Sequence, residues 1–301
     1  MDLDKFSEQL MLVRAVALDL DGVVYRGSRA LPGADTAIGL LRRLGSKVHF
    51  VTNNSGEKRA EVAAKLTQMG IIAAEEEVLT SGFAAAIQTN HLAGNGKCRA
   101  FVLGSEGLKS ELRACGLEIV SNVPSDFVVV GLDTGLSYER LCMAFDALLS
   151  GAIFIACNLD AVFPSEGGKL FLGCGPAVAA LELASGRKPD LVVGKPNTLM
   201  LEMLSEQAGV QPHEILVVGD SPESDIAMAN RYGSPSALLA SDLGPGSARL
   251  KRPDQEPGVV VQSLYELAQL IEDSRAVRFC HRGAAVASRA KVAGGRNGDF
   301  R

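Results

Sequence analysis

Short apolar runs recur along the chain, and between them apolar residues return at the three- and four-residue spacing of a helix face. Val13 to Leu18 is the first run, with the length and β-branched content of a buried strand. Met1 to Leu12 before it reads as a helical lead-in. A polar excursion over 23–30 ends at Pro32-Gly33, and a helix then carries Ala37, Ile38, Leu41 and Leu44 on one face with Gly45 as its stop. Lys47 to Val51 is a second strand, Val62, Leu66 and Met69 mark the next helix, and Val78-Leu79 precedes a helix over 81–92. Alternation of this kind predicts an α/β fold built on a parallel, doubly wound sheet.

The composition loosens over 93–97, which predicts a domain boundary. From 99 to 188 there is a second alternation, with strands at 100–103, 127–130 and 152–156 and helices starting near Ser137 and spanning 175–185. Leu191-Val-Val-Gly then returns to a strand leading into Lys195, with Asn197 placed to cap the next helix. Further strands are expected at 215–219, 237–240 and 259–261. Ser221-Pro-Glu-Ser-Asp225 opens a helix, and a closing helix over 263–272 shows Leu264, Leu267 and Ile271 on one stripe.

At 301 residues and 47% apolar content the chain is long enough for two domains with real cores. Its net charge of −5 gives no electrostatic case for nucleic acid as a partner. The exception is local: residues 274–301 hold seven basic residues and one acid, in a Gly- and Ala-rich context that predicts a disordered tail. The six cysteines are scattered with no Cys-x-x-Cys pair, which argues against structural zinc or a disulfide framework and for a reducing compartment. No apolar run suits a membrane span and the start lacks a signal-peptide core, so a cytoplasmic protein without membrane partners is expected.

Chemistry concentrates at predicted strand ends. Asp19 and Asp21 follow the first strand with one residue between them, and an extended segment puts both on one side. Two such anions are costly unless a cation or a shared proton relieves them. A calcium loop is excluded, because Val24 and Ala30 stand where an EF-hand needs its glycine and bidentate acid. A capped surface turn is the plain alternative, and the rest of the chain decides against it. Thr52, Lys195, and Asp220 with Asp225 also fall at carboxyl ends of predicted strands, where open parallel sheets bind ligands. Three acids suit a hard divalent ion, most simply Mg²⁺; the hydroxyl and the lysine suit a phosphoryl group.

The series Asp19-Leu-Asp-Gly-Val, Val51-Thr-Asn-Asn-Ser, Gly194-Lys-Pro-Asn and Gly219-Asp-Ser-Pro-Glu-Ser-Asp resembles the four motifs of the haloacid dehalogenase superfamily of phosphatases. The resemblance runs from about Ala15 to Glu272. Asn158-Leu-Asp160 and Gly173-Cys-Gly-Pro176 point within it to the NagD-like branch, subfamily IIA, which includes 4-nitrophenyl phosphate, phosphoglycolate and pyridoxal phosphate phosphatases. It implies a Rossmann-like core over 1–93 and 190–273, with an α/β cap inserted at 94–189. The spacing agrees, since 22–51 holds only a flap and one helix, whereas 53–194 far exceeds a crossover.

The same resemblance implies residue roles. Asp19 is the nucleophile that becomes an aspartyl-phosphate, and Asp21 is the acid and then the base. Asp19, the main-chain oxygen of Asp21, and Asp220 hold Mg²⁺, with Asp225 supporting them. Thr52, Asn53 and Asn54 contact the phosphoryl oxygens and Lys195 neutralises charge. The substrate is a small phosphate ester, and a homodimer is left open.

Two departures stand near the site rim: Ser221 replaces a usual arginine, and Ser241-Asp242 replaces a usual Thr-Gly. A metal-independent dehalogenase and a non-catalytic phospholigand sensor are rival uses of this fold; the intact acid, lysine and metal-binding positions argue against both. The cap segment 158–164 offers Phe163 and no histidine or arginine. It therefore suits a ring-bearing or sugar-type leaving group better than a second anion.

Overall fold

The computed structural model describes residues 3–94, 98–122, 124–164, 169–240 and 252–276. Its first strand, β1 (Ala15–Leu18), is buried at every position. Successive side chains point to opposite faces, so Val16 and Leu18 enter one apolar cluster while Ala15 and Ala17 enter another. A strand covered on both sides must be apolar throughout, which is why this run carries no alternation.

A small hairpin, β2 (Tyr25–Arg26) with β3 (Arg29–Ala30), fills the polar excursion. The chain then builds β4 (Lys47–Thr52) and β5 (Val78–Thr80) beside β1, all parallel. A second unit follows, with β6 (Arg99–Leu103), β7 (Glu118–Val120), β8 (Phe127–Val130) and β9 (Ile153–Ala156). Next come an antiparallel hairpin, β10 (Val162–Pro164) with β11 (Leu170–Leu172), and the short β12 (Leu191–Val192). The chain then returns through β13 (Ile215–Gly219), β14 (Ser236–Leu239) and β15 (Val259–Val261).

Six parallel strands lie in the order β15-β14-β13-β1-β4-β5, and five in the order β12-β9-β8-β6-β7. This is the α/β, Rossmann-like architecture expected. β1 sits between β13 and β4, where the winding reverses, so a crevice opens at its carboxyl end. The two sheets are not independent. One apolar cluster joins Ala17, Val51 and Val217 of the first sheet to Val102, Val129 and Ile155 of the second, through Ala84, Ala85 and Ala86 on the helix Ser81–Ala93.

Three sequence expectations are corrected. β12 pairs with β9, Leu191 opposite Ile155, and not with the six-stranded sheet. Asp190 ties it there, its main-chain N–H donating to the Phe154 carbonyl and its carboxylate accepting from the Phe154 N–H. The helix Leu199–Ala208 is preceded by Thr198, whereas the Asn197 side chain donates to the Gly194 carbonyl. The closing helix runs over 264–276 and so passes the expected start of the tail. There the Arg275 guanidinium donates to the Val13 and Leu44 carbonyls and to Ser46 Oγ. Residues 277–301 of the expected basic tail, and Ser241-Asp242, lie outside the described residues. Among the described residues no helix is long and apolar enough to cross a membrane.

Candidate active site

The carboxyl ends of β1, β4 and β13 and the segment after β12 open onto one cleft of about 510 Å³. Asp19, Asp21, Thr52, Lys195, Asp220 and Asp225 all line it, as do Asn53 and Asn54. Residues far apart in sequence thus meet because β1, β4 and β13 end at one edge of the six-stranded sheet and the segment after β12, from the other sheet, brings Lys195 to the same place.

Lys195 is the hub. Its ammonium donates to Asp19 Oδ1 at 2.5 Å, to Asp225 Oδ1 at 2.7 Å and to the Val51 carbonyl at 3.1 Å. Only 5% of this residue is exposed, and a buried cation without such partners would be very costly. The two carboxylates raise its proton affinity further, against the opposing effect of burial. Asp225 is also buried, and its second oxygen accepts from the Ser221 N–H and from Ser224 Oγ, each at 3.3 Å. A π-helical turn over Pro222–Ile226 presents it; such turns are frequent at functional sites. Ser221 Oγ caps that turn by accepting from the Ser224 N–H, so the residue standing in place of an arginine has a structural task.

Oxygens of Asp19, Asp220 and Asp225 lie within 4.8 Å of one another. Burial first, then the neighbouring acids, raise the proton affinity of Asp19 despite the ammonium beside it. The same causes, burial and then Asp225, push Asp220 up to about 6. Carboxylates held this close and this dry fit a hard divalent cation with oxygen ligands. Gly22 makes the approach possible: its φ is +80°, and a β-carbon there would stand 2.0 Å from Asp220 Oδ2. Asp21 is exposed at the mouth, yet atoms packed around its carboxyl raise its proton affinity, with Lys65 opposing.

Thr52 Oγ1 accepts the Asn54 N–H at 3.1 Å, which leaves its hydroxyl proton for the cleft. The two asparagine carboxamides are engaged by protein. Asn54 donates to Glu57 and accepts from the Gly56 and Glu57 N–H groups. Asn53 donates to both oxygens of Asp160 and to the Lys195 carbonyl, and accepts the Lys195 N–H. Asp160 joins the site without being among the site residues expected from the sequence, although an acid past the carboxyl end of β9 carries the same signal as Asp19 and Asp220. The second unit adds the apolar side chains Leu132, Leu159, Val162 and Phe163 to the lining, with Asn158 and Asp160 beside them. Phe163 stacks on Phe171 across the β10–β11 hairpin, ring centres 5.9 Å apart.

Comparison with known proteins bears on the family and the fold. A family model described as haloacid dehalogenase-like hydrolase matches residues 16–118, and a HAD-hydrolase-like model matches 192–267. The sugar-phosphatase AraL of Bacillus subtilis is 38% identical over 261 residues, covering 86% of this chain and 93% of that protein. The crystal structure of a 4-nitrophenylphosphatase from Thermotoga maritima superposes with a TM-score of 0.79 at 34% identity, covering 87% of this chain and 98% of that one. A glycerol phosphate phosphatase from Mycobacterium tuberculosis, solved with magnesium, gives a TM-score of 0.77 at 32% identity, covering 86% and 77%. With four motifs converging on one cleft and relatives of this coverage, the chain belongs to the haloacid dehalogenase superfamily and, within it, to the phosphatases of subfamily IIA.

Proposed function

We propose that this hydrolase of phosphoric monoesters is Mg²⁺-dependent, acts on small phosphorylated metabolites and works through an aspartyl-phosphate on Asp19. The observation that carries the reading is the Lys195 ammonium shared between Asp19 and the buried Asp225. It fixes one oxygen of Asp19 and leaves the other to attack phosphorus. As the phosphorus–ester oxygen bond breaks, its electron pair leaves with that oxygen, which takes a proton from Asp21. Asp21 suits this because its surroundings favour the protonated form. The Asp21 carboxylate then removes a proton from a water that attacks the aspartyl-phosphate, and Asp19 is released as carboxylate with inorganic phosphate.

Thr52 donates its hydroxyl to a phosphoryl oxygen, while Asn53 and Asn54 shape the loop that carries it. Asp19, Asp220 and the main-chain oxygen of Asp21 would hold Mg²⁺, with Asp225 in support; when bound, the ion offsets charge on the phosphoryl oxygens and on the crowded acids. Residues 94–189 serve as a cap, and the apolar wall they present selects a sugar-type or ring-bearing leaving group over one with a second anion. Five cysteines are free among the described residues, which supports a reducing, cytoplasmic setting.

The test is release of nitrophenol from 4-nitrophenyl phosphate with Mg²⁺, after EDTA, and after Mg²⁺ is restored. Activity lost on chelation and regained with Mg²⁺ is expected, with Ca²⁺ a poor substitute. Full activity after exhaustive chelation would refute the metal reading, and no activity under any condition would refute the phosphatase reading.

A further inference from the structure

Asn53 sits where three parts of the chain meet. It follows β4, its Nδ2 donates to Asp160 Oδ1 at 3.1 Å and Oδ2 at 3.0 Å, and the same nitrogen lies 3.2 Å from the Lys195 carbonyl. Its Oδ1 accepts the Lys195 N–H at 2.8 Å. One carboxamide therefore brackets the main chain of Lys195 on both sides and is itself held by a carboxylate from the second unit. Its carbonyl is held too, by Ser81 Oγ and by Asn158 Nδ2, each at 2.7 Å.

The surroundings are built for this contact. The approach of Asn53 requires glycine at 194, where a β-carbon would stand 2.6 Å from Asn53 Oδ1 and 2.7 Å from the Cys157 carbonyl. Asp160 is fixed in turn: its N–H donates to Asn158 Oδ1 at 3.0 Å and its carbonyl accepts the Gly175 N–H at 3.0 Å. Asn158-x-Asp160, Gly173-Cys-Gly175 and Gly194 thus serve one junction, which the catalytic chemistry alone does not explain.

We infer that Asp160 is a positioning residue for Lys195, acting through Asn53. Both of its carboxylate oxygens accept from the one Asn53 N–H₂ group, which fixes the plane of the carboxamide. That plane in turn fixes the main chain from which the Lys195 ammonium reaches Asp19. Displacement of a reacting group by about 1 Å costs on the order of a hundredfold in rate, so a small rotation of Asn53 is enough to matter. Because Asp160 lies in the second unit, the reactive lysine is set only while that unit is seated against the core.

The inference rests on the phosphatase reading, and steady-state kinetics of the full chain separate the two. Asp160→Ala is expected to lower kcat by about tenfold or more, while KM changes by less than about threefold. The fall in kcat/KM should be equal, within about twofold, for 4-nitrophenyl phosphate and glycerol phosphate, whereas a residue that touches the leaving group would distinguish them. Asn53→Ala and the Asn53→Ala/Asp160→Ala double variant should be no worse than each other, since they break one unit. Asn53→Asp, which sets two carboxylates face to face, should be the poorest variant, and Asp160→Asn added to it should restore kcat at least about tenfold.

Circular dichroism and thermal melts confirm that each variant is folded, and if Asp160→Ala does not fold, the Asn53→Asp/Asp160→Asn double variant, which keeps the wild-type composition and charge, is compared with Asn53→Asp instead. Wild-type activity with Asp160→Ala within about twofold of it, fully additive single variants, or no rescue by the exchange would overturn the positioning role and leave the phosphatase reading standing. A wild type inactive on every ester would remove both.

Discussion

Gly22 and Asp220 approach more closely than any side chain at position 22 would permit, with Asp220 Oδ2 2.0 Å from the site of a β-carbon. The acid that ends β13 is thereby laid against the turn that follows β1, and the two strands deliver their carboxylates to one point. Gly22→Ala should combine this clash with a left-handed backbone strained for alanine, at a cost of about 1–3 kcal/mol. Urea unfolding checks the stability loss, and a Mg²⁺ titration of activity should show weaker apparent metal affinity.

Asp225 compensates the buried Lys195 charge more completely than any other single group except Asp19. Breaking an isolated buried pair costs about 3–5 kcal/mol; here Asp19 still faces the ammonium, so losing Asp225 should cost less than that full amount. Asp225→Ala should show that loss in equilibrium unfolding. Asp225→Asn retains an acceptor for the ammonium and should lose less stability while still losing activity.

Asp19→Asn should leave the fold intact and reduce kcat by about a thousandfold or more, because an amide does not replace the nucleophile. Phosphate release from a wild-type and variant pair, with melting curves alongside, decides it. Retention of more than about a hundredth of kcat would exclude covalent catalysis by this residue.

The acids also set a pH dependence. Asp220 moves up to about 6 from an ordinary 3.8, and Asp19 moves in the same direction. A folded-state value above the unfolded one means the folded protein binds the proton more tightly. This contribution to stability is therefore complete below the ordinary carboxylate range and is lost as pH rises through about 6 and beyond. Thermal scans in EDTA should show it, and Mg²⁺ should raise the melting temperature more at pH 8 than at pH 5 because protons compete for the same oxygens. Equal stabilisation at both values would contradict the assignment.

Phe163→Ala tests the apolar wall. Its ring both lines the cleft and stacks on Phe171, so the loss opens the wall and loosens the hairpin. Activity on sugar-type or aromatic monophosphates should fall more than activity on phosphoglycolate, as measured by released phosphate across a panel. An equal fall for all would assign the ring to hairpin packing alone.

Much of this was legible in the sequence because strands buried on both faces announce themselves. β1, β8 and β13 are continuous apolar runs, β4 is broken between Val48 and Val51 only by His49, and the candidate chemistry stands at the ends of β1, β4 and β13. The helix Gly175–Ser185 has the bounds expected from its flanking glycines. What escaped reading was pairing. An apolar run at Leu191 declares a strand but not its neighbour, and Asp190 decides that through hydrogen bonds with Phe154. The half-exposed edge strand β7 and the hairpin β10–β11 lack a buried pattern altogether. The carboxamide partners of Asn53 and Asn54 depend on contacts such as Asp160 to Asn53 that no local spacing encodes.

The apolar cluster that joins the two sheets has a consequence for how the molecule comes apart. Ala84, Ala85 and Ala86 share one buried cluster with Val217 of the first sheet and Val129 of the second, so neither sheet can melt without wetting apolar surface that the other helps to bury. Two units joined only by linkers would unfold in separate steps, whereas a shared interior makes them one cooperative block. Calorimetry of the intact chain should accordingly give a single endotherm with equal calorimetric and van't Hoff enthalpies. Amide exchange in β8 should then be as slow as in β1.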